Sequence, residues 1–337
     1  KVQAWFFPLM ILLIGCSNLI VIYVGGNQYI NGKIEIGVLA EFIIYVNMLT
    51  WPVAVVGWIT SIVQQAEASQ KRINVFLKEK PEIDDGPGIN KPINGNIKFK
   101  NVSLVYPETN ITALRNISLE IPSGTTLGVI GNIGSGKTTF LDLISRLYDP
   151  SEGSIEIDRF NLKDYRIEEI RGSLAYVPQN AFLFSESIED NIRFGSINAN
   201  KEEIQKATKH AKVHDNIIGF KEGYKTLLGE RGVTLSGGQI QRVSIARGLI
   251  KKPNILLLDD CLSAVDTDTE EEILKHLKTA TKNKTTIIVS HRISSVRHAD
   301  LIIILENGQI VQKGRHIDLI NAKGYYKELS KKQHSDI

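Results

Sequence analysis

Residues 131–138 read Gly-Asn-Ile-Gly-Ser-Gly-Lys-Thr and directly follow the run Thr125 to Ile130. No other feature restricts the fold as narrowly. A glycine-rich turn between a strand and a helix bares backbone N–H groups at a helix N-terminus, and those groups grip phosphate. The pattern predicts a strand over Thr125–Ile130 and a helix from Lys137 to about Leu147. In that setting Lys137 reaches β- and γ-phosphate oxygens and the Thr138 hydroxyl is offered to Mg²⁺. Gly131, Asn132, Ile133, Gly134, Ser135, Gly136 and Thr139 complete the candidate nucleotide contacts. Alone, the loop marks only a wide class of nucleotide-binding proteins.

With 337 residues and a net charge of +3, the chain exceeds one typical domain and lacks the basic excess of a nucleic-acid binder, so no nucleic-acid partner is expected. Trp5 to Gly26 holds no charged residue, and Ile36 to Val63 holds only Glu41. Each is long enough, at ~1.5 Å rise per residue, to cross a hydrocarbon core of about 30 Å. Pro52 predicts a kink in the second span. Lys71, Arg72, Lys78 and Lys80 follow that span, against one lysine in the loop between the spans, so the positive-inside bias places the C-terminal side in the cytoplasm. The expected localisation is a multi-pass cell-membrane protein in contact with lipid. The absence of an initiator Met or a signal-peptide pattern, with only two spans, suggests a C-terminal piece of a longer protein. Cys16 and Cys261 match neither a disulfide framework nor a metal site and are expected to be buried thiols.

Beyond the spans, Ala66 to Phe76 is expected to be helical, and Glu79 to Asn94, rich in Pro, Gly, Asp and Asn, to be a linker. Ile97–Tyr106 and Ala113–Ile121 alternate as strands do. Ile255–Leu258 is an apolar run ending at Asp259-Asp260, the form of a buried parallel strand with carboxylates at its C-terminal end. Thr285–Val289 is a second such strand, ending at Ser290-His291. Leu301–Leu305 and Gln309–Lys313 form a hairpin through Asn307-Gly308. The region between Asn180 and Ile250 is mostly helical. Asn-x-Ser/Thr matches at Asn101, Asn110, Asn116 and Asn283 lie on the expected cytoplasmic side and are read as chance.

Asp259 is placed to hold the Mg²⁺ that bridges the phosphates, since a hard cation prefers carboxylate oxygen. The run Leu235-Ser236-Gly237-Gly238-Gln239 puts Ser236 where a helix N-cap belongs, ahead of a helix from Gln239 to Ile250 whose positive end can face an anion. A glycine pair before a helix is by itself often just a turn. With Gly131–Thr138, Gln179, Asp259, Asp266 and His291 in this order, however, the chain closely resembles the ATP-binding cassette (ABC) superfamily over about residues 97–330.

The resemblance implies an α-helical transmembrane segment followed by an α/β P-loop NTPase domain, with a mixed sheet core, an antiparallel β subdomain and a helical subdomain. Residues 1–76 would be the C-terminal part of the transmembrane domain, with spans at about 5–26 and 36–63. A linker at 77–95, the nucleotide-binding domain at 96–332 and a tail at 333–337 would follow. By the same resemblance Tyr106 looks like the aromatic that stacks on adenine. Gln179 looks like the glutamine sensing Mg²⁺ and γ-phosphate, Ser263–Asp266 like the loop crossing a dimer interface, and His291 like the switch histidine. Ser236, Gly237, Gly238 and Gln239 would grip the second cassette's nucleotide. Gly229-Glu230-Arg231-Gly232 resembles a segment typical of exporters, and the two spans look like the last pair of a six-helix half-transporter. The implied cofactors are ATP and Mg²⁺.

The position after the magnesium Asp is usually Glu in fully active cassettes and here is Asp260, one methylene shorter. Positioning dominates phosphoryl transfer, so a slow site is expected, with Asp260, His291 and Gln179 as its catalytic residues. The partner is a second ABC half-transporter. A heterodimer with this chain as the weakly hydrolysing half is favoured over a fully hydrolysing homodimer, although retention of His291 points mildly the other way. A non-hydrolysing ATP clamp and a soluble ABC ATPase acting on nucleic acid or ribosomes stay open. The transported substrate is left unassigned, because the implied four earlier spans lie ahead of Lys1.

Overall fold

The computed structural model describes residues 2–229 and 235–335, with the backbone alone for 2–4, 6, 7, 334 and 335. The exporter-like segment at Gly229–Gly232 therefore lies outside the described residues except for Gly229. The chain forms two compact units, Lys1–Glu82 and Ile83–Ile337.

The first unit is a pair of helices, α1 (Val2–Ile30) and α2 (Ile36–Lys78), and both are long and apolar enough to cross a membrane. Gly25 lets them approach closely: a Cβ there would lie 2.5 Å from the Leu39 side chain. Leu12, Leu19, Ile44, Trp51 and Trp58 are exposed, as expected of a surface meant for lipid or for other helices. Cys16, expected to be buried, is exposed on α1, because the two-helix unit leaves most of each helix uncovered. The helix expected over Ala66–Phe76 is present, as the continuation of α2. Nothing between Val63 and Ala66 breaks a helix, so α2 runs on through Gln64 and Gln65, and it is also continuous through Pro52.

The second unit opens with residues 83–95, which have no regular secondary structure yet are stitched down. Gly88 N–H donates to Asp164 O at 3.0 Å, Ile167 N–H to Asp85 Oδ1 at 2.7 Å, and Asn254 Nδ2 to Ile93 O at 2.6 Å. Gly86 is packed so tightly that a Cβ would sit 2.4 Å from the carbonyl oxygens of Lys163 and Tyr165.

β1 (Ile97–Val105), β2 (Thr112–Ile121), β4 (Glu152–Ile157) and β5 (Phe160–Asn161) form an antiparallel sheet in the order β2-β1-β4-β5. β3 (Thr126–Gly131), β6 (Leu174–Val177), β7 (Ile255–Asp259), β8 (Thr285–Ser290), β9 (Leu301–Glu306) and β10 (Gln309–Gly314) form the second sheet, ordered β10-β9-β3-β8-β7-β6. It is parallel except for the β9–β10 hairpin.

The continuous apolar runs follow from burial on both faces. Along β7, Leu256 and Leu258 enter one core while Ile255 and Leu257 enter the other; along β9, Ile302 and Ile304 part from Ile303 and Leu305 in the same way. One core lies against the antiparallel sheet and α3 (Lys137–Ile144), where Phe99 and Phe140 stack at 4.6 Å. The other takes in α5 (Ile188–Arg193), α6 (Lys201–His210), α7 (His214–Ile218), α8 (Gly237–Ile250) and α9 (Thr267–Ala280). α4 (Ile167–Ser173), α10 (Ile293–Val296), α11 (His316–Asn321) and α12 (Tyr325–Ser335) complete the unit.

All four Asn-x-Ser/Thr asparagines have positive φ, between 49° and 63°. Asparagine tolerates the left-handed region better than other side chains with a Cβ, which gives each a backbone role.

Arg146 shows how the docked segment is fastened. It is 3% exposed and sends Nη1 to Tyr165 O at 3.0 Å and Nη2 to Asp84 O at 2.8 Å. Replacing it by Met strands two carbonyl groups, and Arg146→Met is expected to destabilise this second unit by about 2–4 kcal/mol, read as a lower unfolding temperature of that unit by calorimetry.

Candidate active site

The glycine-rich loop is shaped by positions that reject side chains. Gly134 and Gly136 have φ of 79° and 97°, and a Cβ on Gly136 would sit 2.6 Å from Ala113 O. Gly136 is the N-cap of α3 and brings no side chain to its first N–H groups, so they stay open to an anion. Ser135 is buried, with its hydroxyl lacking a protein partner, while Ile133 is fully exposed at the loop tip. The Lys137 ammonium donates to Gly131 O and Asn132 O, both at 2.8 Å. Burial lowers its pKa, and Asp260 and Asp259 oppose that shift.

Asp259 ends β7, 4% exposed, and its Oδ2 accepts from Thr138 Oγ1 at 2.9 Å. The two oxygens lie side by side beneath the loop, a hard donor pair suited to Mg²⁺, and the loop above them fits a nucleotide triphosphate. Burial is the main cause that raises the Asp259 pKa; the hydrogen bonds from Thr138 and Tyr176 counter it.

Asp260 follows in the left-handed region at φ 46°, with its N–H bonded to Val289 O at 2.9 Å. Its carboxylate gathers two of the sequence-predicted residues. Gln179 Nε2, on the loop after β6, reaches Oδ2 at 3.2 Å, and His291 Nδ1 lies 2.9 Å from Oδ1 and 3.1 Å from Oδ2. An ionised carboxylate only accepts, so Nδ1 carries the shared proton. Asp260, Gln179 and His291 thus form one cluster beside the Thr138–Asp259 pair.

Tyr106 stands at the end of β1, its hydroxyl 2.9 Å from Thr139 Oγ1 and its ring edge-on to Tyr148 at 5.1 Å. That places an aromatic face beside the first turn of α3.

Ser236 caps α8 as expected. Its Oγ accepts from Gln239 N–H at 3.3 Å, and Gln239 Oε1 accepts from Ser236 N–H at 2.9 Å, a reciprocal capping box. Ser236 and Gly237 are exposed, and among the described residues no hydrogen bond joins 236–239 to the glycine-rich loop. A Cβ on Gly238 would meet Ala264 O at 2.9 Å, so α8 sits tight against the 263–266 turn. Asp266 caps α9 by accepting from Thr269 N–H at 2.9 Å.

Sequence reasoning missed several partners. Gln241 ties α8 to that turn, donating to Ser263 Oγ at 3.3 Å and accepting from Ala264 N–H at 3.1 Å. Arg292 donates to Ser263 O and Val265 O and pairs with the buried Glu270 at 3.2 Å. Tyr176 stands between two carboxylates, 3.2 Å from Asp259 and 3.4 Å from Asp142, and its pKa is raised by burial and by both charges. The five-residue step from Lys137 to Asp142 carried no recognisable signal, since a carboxylate on a helix is commonly solvated.

Residues 114–263 match the family described as ABC transporter. The chain is 38% identical over 333 residues to the multidrug resistance-like ATP-binding protein MdlA of Escherichia coli, covering 99% of this chain and 56% of that protein. It is 37% identical over 335 residues to the probable multidrug resistance ABC transporter ATP-binding/permease protein YheI of Bacillus subtilis, covering 98% and 57%. A solved bacterial Atm1-family ABC exporter with ATP bound superposes with a TM-score of 0.81 at 33% identity, over 96% of this chain and 57% of that one. The chain therefore spans a little over half the length of these relatives.

Burial, reinforced by Asp259, raises the Asp142 pKa from 3.8 to about 6. A carboxyl that holds its proton more tightly when folded favours the fold at low pH, and that benefit is lost as pH rises from about 4 through 6, because the unfolded chain ionises first. In metal-free buffer, Asp142→Asn is expected to flatten the fall in unfolding temperature over that window; an unchanged pH profile would contradict the shift.

Proposed function

This chain belongs to the ABC transporter family, and on that premise we propose that it is the ATP-binding subunit of a membrane exporter built from two half-transporters. The reading rests above all on one observation, the meeting of Gln179, Asp260 and His291 beside the Thr138–Asp259 pair and under a loop made for phosphate. The proposed orientation places α1 and α2 in the cell membrane and the nucleotide-binding unit in the cytoplasm, in keeping with the basic residues Lys71, Arg72, Lys78 and Lys80 at the end of α2 and just beyond it.

Bound MgATP would supply the γ-phosphoryl group and the divalent charge. Thr138 and Asp259 would hold the cation, with Gln179 at its side, and Lys137 and the loop N–H groups would neutralise the phosphates. Tyr106 would receive the base. Asp260 would accept the proton of the attacking water, and His291 would fix the carboxylate through Nδ1. Because Ser236–Gln239 forms a capped helix tip with no hydrogen bond to the chain's own glycine-rich loop among the described residues, its proposed recipient is the nucleotide of a second cassette. Binding would then close the pair, and hydrolysis would loosen it by removing the charge that both cassettes grip.

The names of the relatives include multidrug resistance proteins. The cargo of this chain is accordingly proposed to be a small amphipathic molecule moved outward.

The finer reading concerns Asp260. A carboxylate one methylene short of the usual Glu is poorly placed for water, whereas the signature helix tip is intact and can complete a partner's site. We therefore favour a heterodimer in which this chain hydrolyses slowly. Asp260→Glu in the assembled transporter is expected to raise ATP turnover at this chain's site by about tenfold or more, since roughly 1 Å of misplacement costs up to a hundredfold. A single-site turnover assay with no gain in rate would remove the case for an Asp-limited centre.

A further inference from the structure

The last helix reaches both loops of the active site. α12 is anchored by Tyr326, which is fully buried with its hydroxyl 2.7 Å from His316 Nδ1 and its N–H bonded to Gln312 Oε1 at 3.2 Å. That anchor stands at the start of the helix. At its start the Tyr325 hydroxyl donates to Asn132 Oδ1 at 2.8 Å, on the glycine-rich loop. Eight residues on, about 12 Å along the axis, the Gln333 side chain straddles the turn that carries His291. Gln333 Nε2 donates to His291 O at 2.8 Å, and Gln333 Oε1 accepts from Ile293 N–H at 2.9 Å.

The Gln333 amide suits this pair of contacts because it donates from one end and accepts at the other. The turn presents one acceptor and one donor, a carboxylate only accepts, and an ammonium only donates. The His291 imidazole itself is 53% exposed. Its position depends on Asp260 at Nδ1 and on its own backbone. From beneath, that backbone is fixed by the neighbouring Arg292, whose N–H donates to Ser290 Oγ at 3.0 Å and whose guanidinium grips Glu270. From outside it is fixed by Gln333.

We infer that Gln333 is a positioning residue that clamps the His291 turn, so that the imidazole meets Asp260 and the γ-phosphate at a set distance. Position 333, which the sequence suggested was the start of a tail, belongs to the catalytic architecture. The inference rests on the hydrolytic reading above for its consequence, though the clamp itself stands on geometry.

The test uses the complete transporter assembly with Gln333→Ala, Gln333→Glu, His291→Ala and the double variant His291→Ala/Gln333→Ala. Single-site ATP turnover at this chain's own site, affinity for a non-hydrolysable ATP analogue and amide hydrogen exchange across 290–295 are read for each. Gln333→Ala and Gln333→Glu are expected to lower kcat by about threefold to tenfold, with analogue affinity unchanged, and to speed exchange at Ile293. In the His291→Ala background the Gln333→Ala change should cost nothing further, because both act through one imidazole. A residue that merely stabilised the fold would multiply the loss instead. Unchanged turnover in the Gln333 variants, unchanged turnover in His291→Ala, or multiplicative losses overturn the inference. Should the wild-type assembly turn over no ATP, the proposed function fails on its own, and the exchange at Ile293 alone decides the clamp.

Discussion

The hydrogen bond from Thr138 to Asp259 is the joint on which the site depends. Thr138 lies in the first turn of α3, carried there by the loop that follows β3, and Asp259 ends β7; the two strands are separated by β8, a distance of about 10 Å. The loop brings the two side chains together only if the strand ends are level. The registers make them so: Val129 pairs with Val289, and Val289 with Asp259, in one row across the sheet. A one-residue slip of β7 would turn Asp259 to the opposite face and bring Leu258 to the cation position. The alternating burial of Ile255, Leu256, Leu257 and Leu258 in two separate cores forbids that slip, so the packing that fills the interior also sets the chemistry at its rim.

Much of this was legible in the sequence because it follows from local rules. The strands at 97–105, 112–121, 255–259 and 285–290 and the hairpin through Asn307-Gly308 appear where alternation and turn chemistry put them, within one or two residues. The Ser236 cap is a three-residue signal and was readable as such. The missing pieces depend on contacts between distant segments. β4, β5 and β6 are short and weakly patterned, and β6 is a strand only because β7 pairs with it. Residues 83–95 read as a linker from their Pro and Gly content. That content instead serves a close backbone approach at Gly86, which composition alone does not distinguish from flexibility.

The same distinction governs the site. Gln179, Asp260 and His291 could be named from order and spacing, but their convergence on one carboxylate could not, since the three lie on loops after different strands. The outer partners, Tyr176, Gln241, Arg292 and Gln333, are ordinary polar residues with no spacing rule. Each earns meaning from what faces it. Arg292 illustrates the point, because a single side chain ties the 263–266 turn to the buried Glu270, and its backbone belongs to the turn that carries His291.

The uninterrupted length of α2 has a mechanical corollary. Its 43 residues make a rod of roughly 65 Å, over twice the thickness of a hydrocarbon core. If the rod pivots near Thr50, about 40 Å of stiff helix lies beyond the fulcrum, so tilting it by about 5° swings its basic end through roughly 3 to 4 Å. Without a break to absorb the rotation, small angular changes near the middle of the helix become displacements as large as an atom's diameter at the far tip.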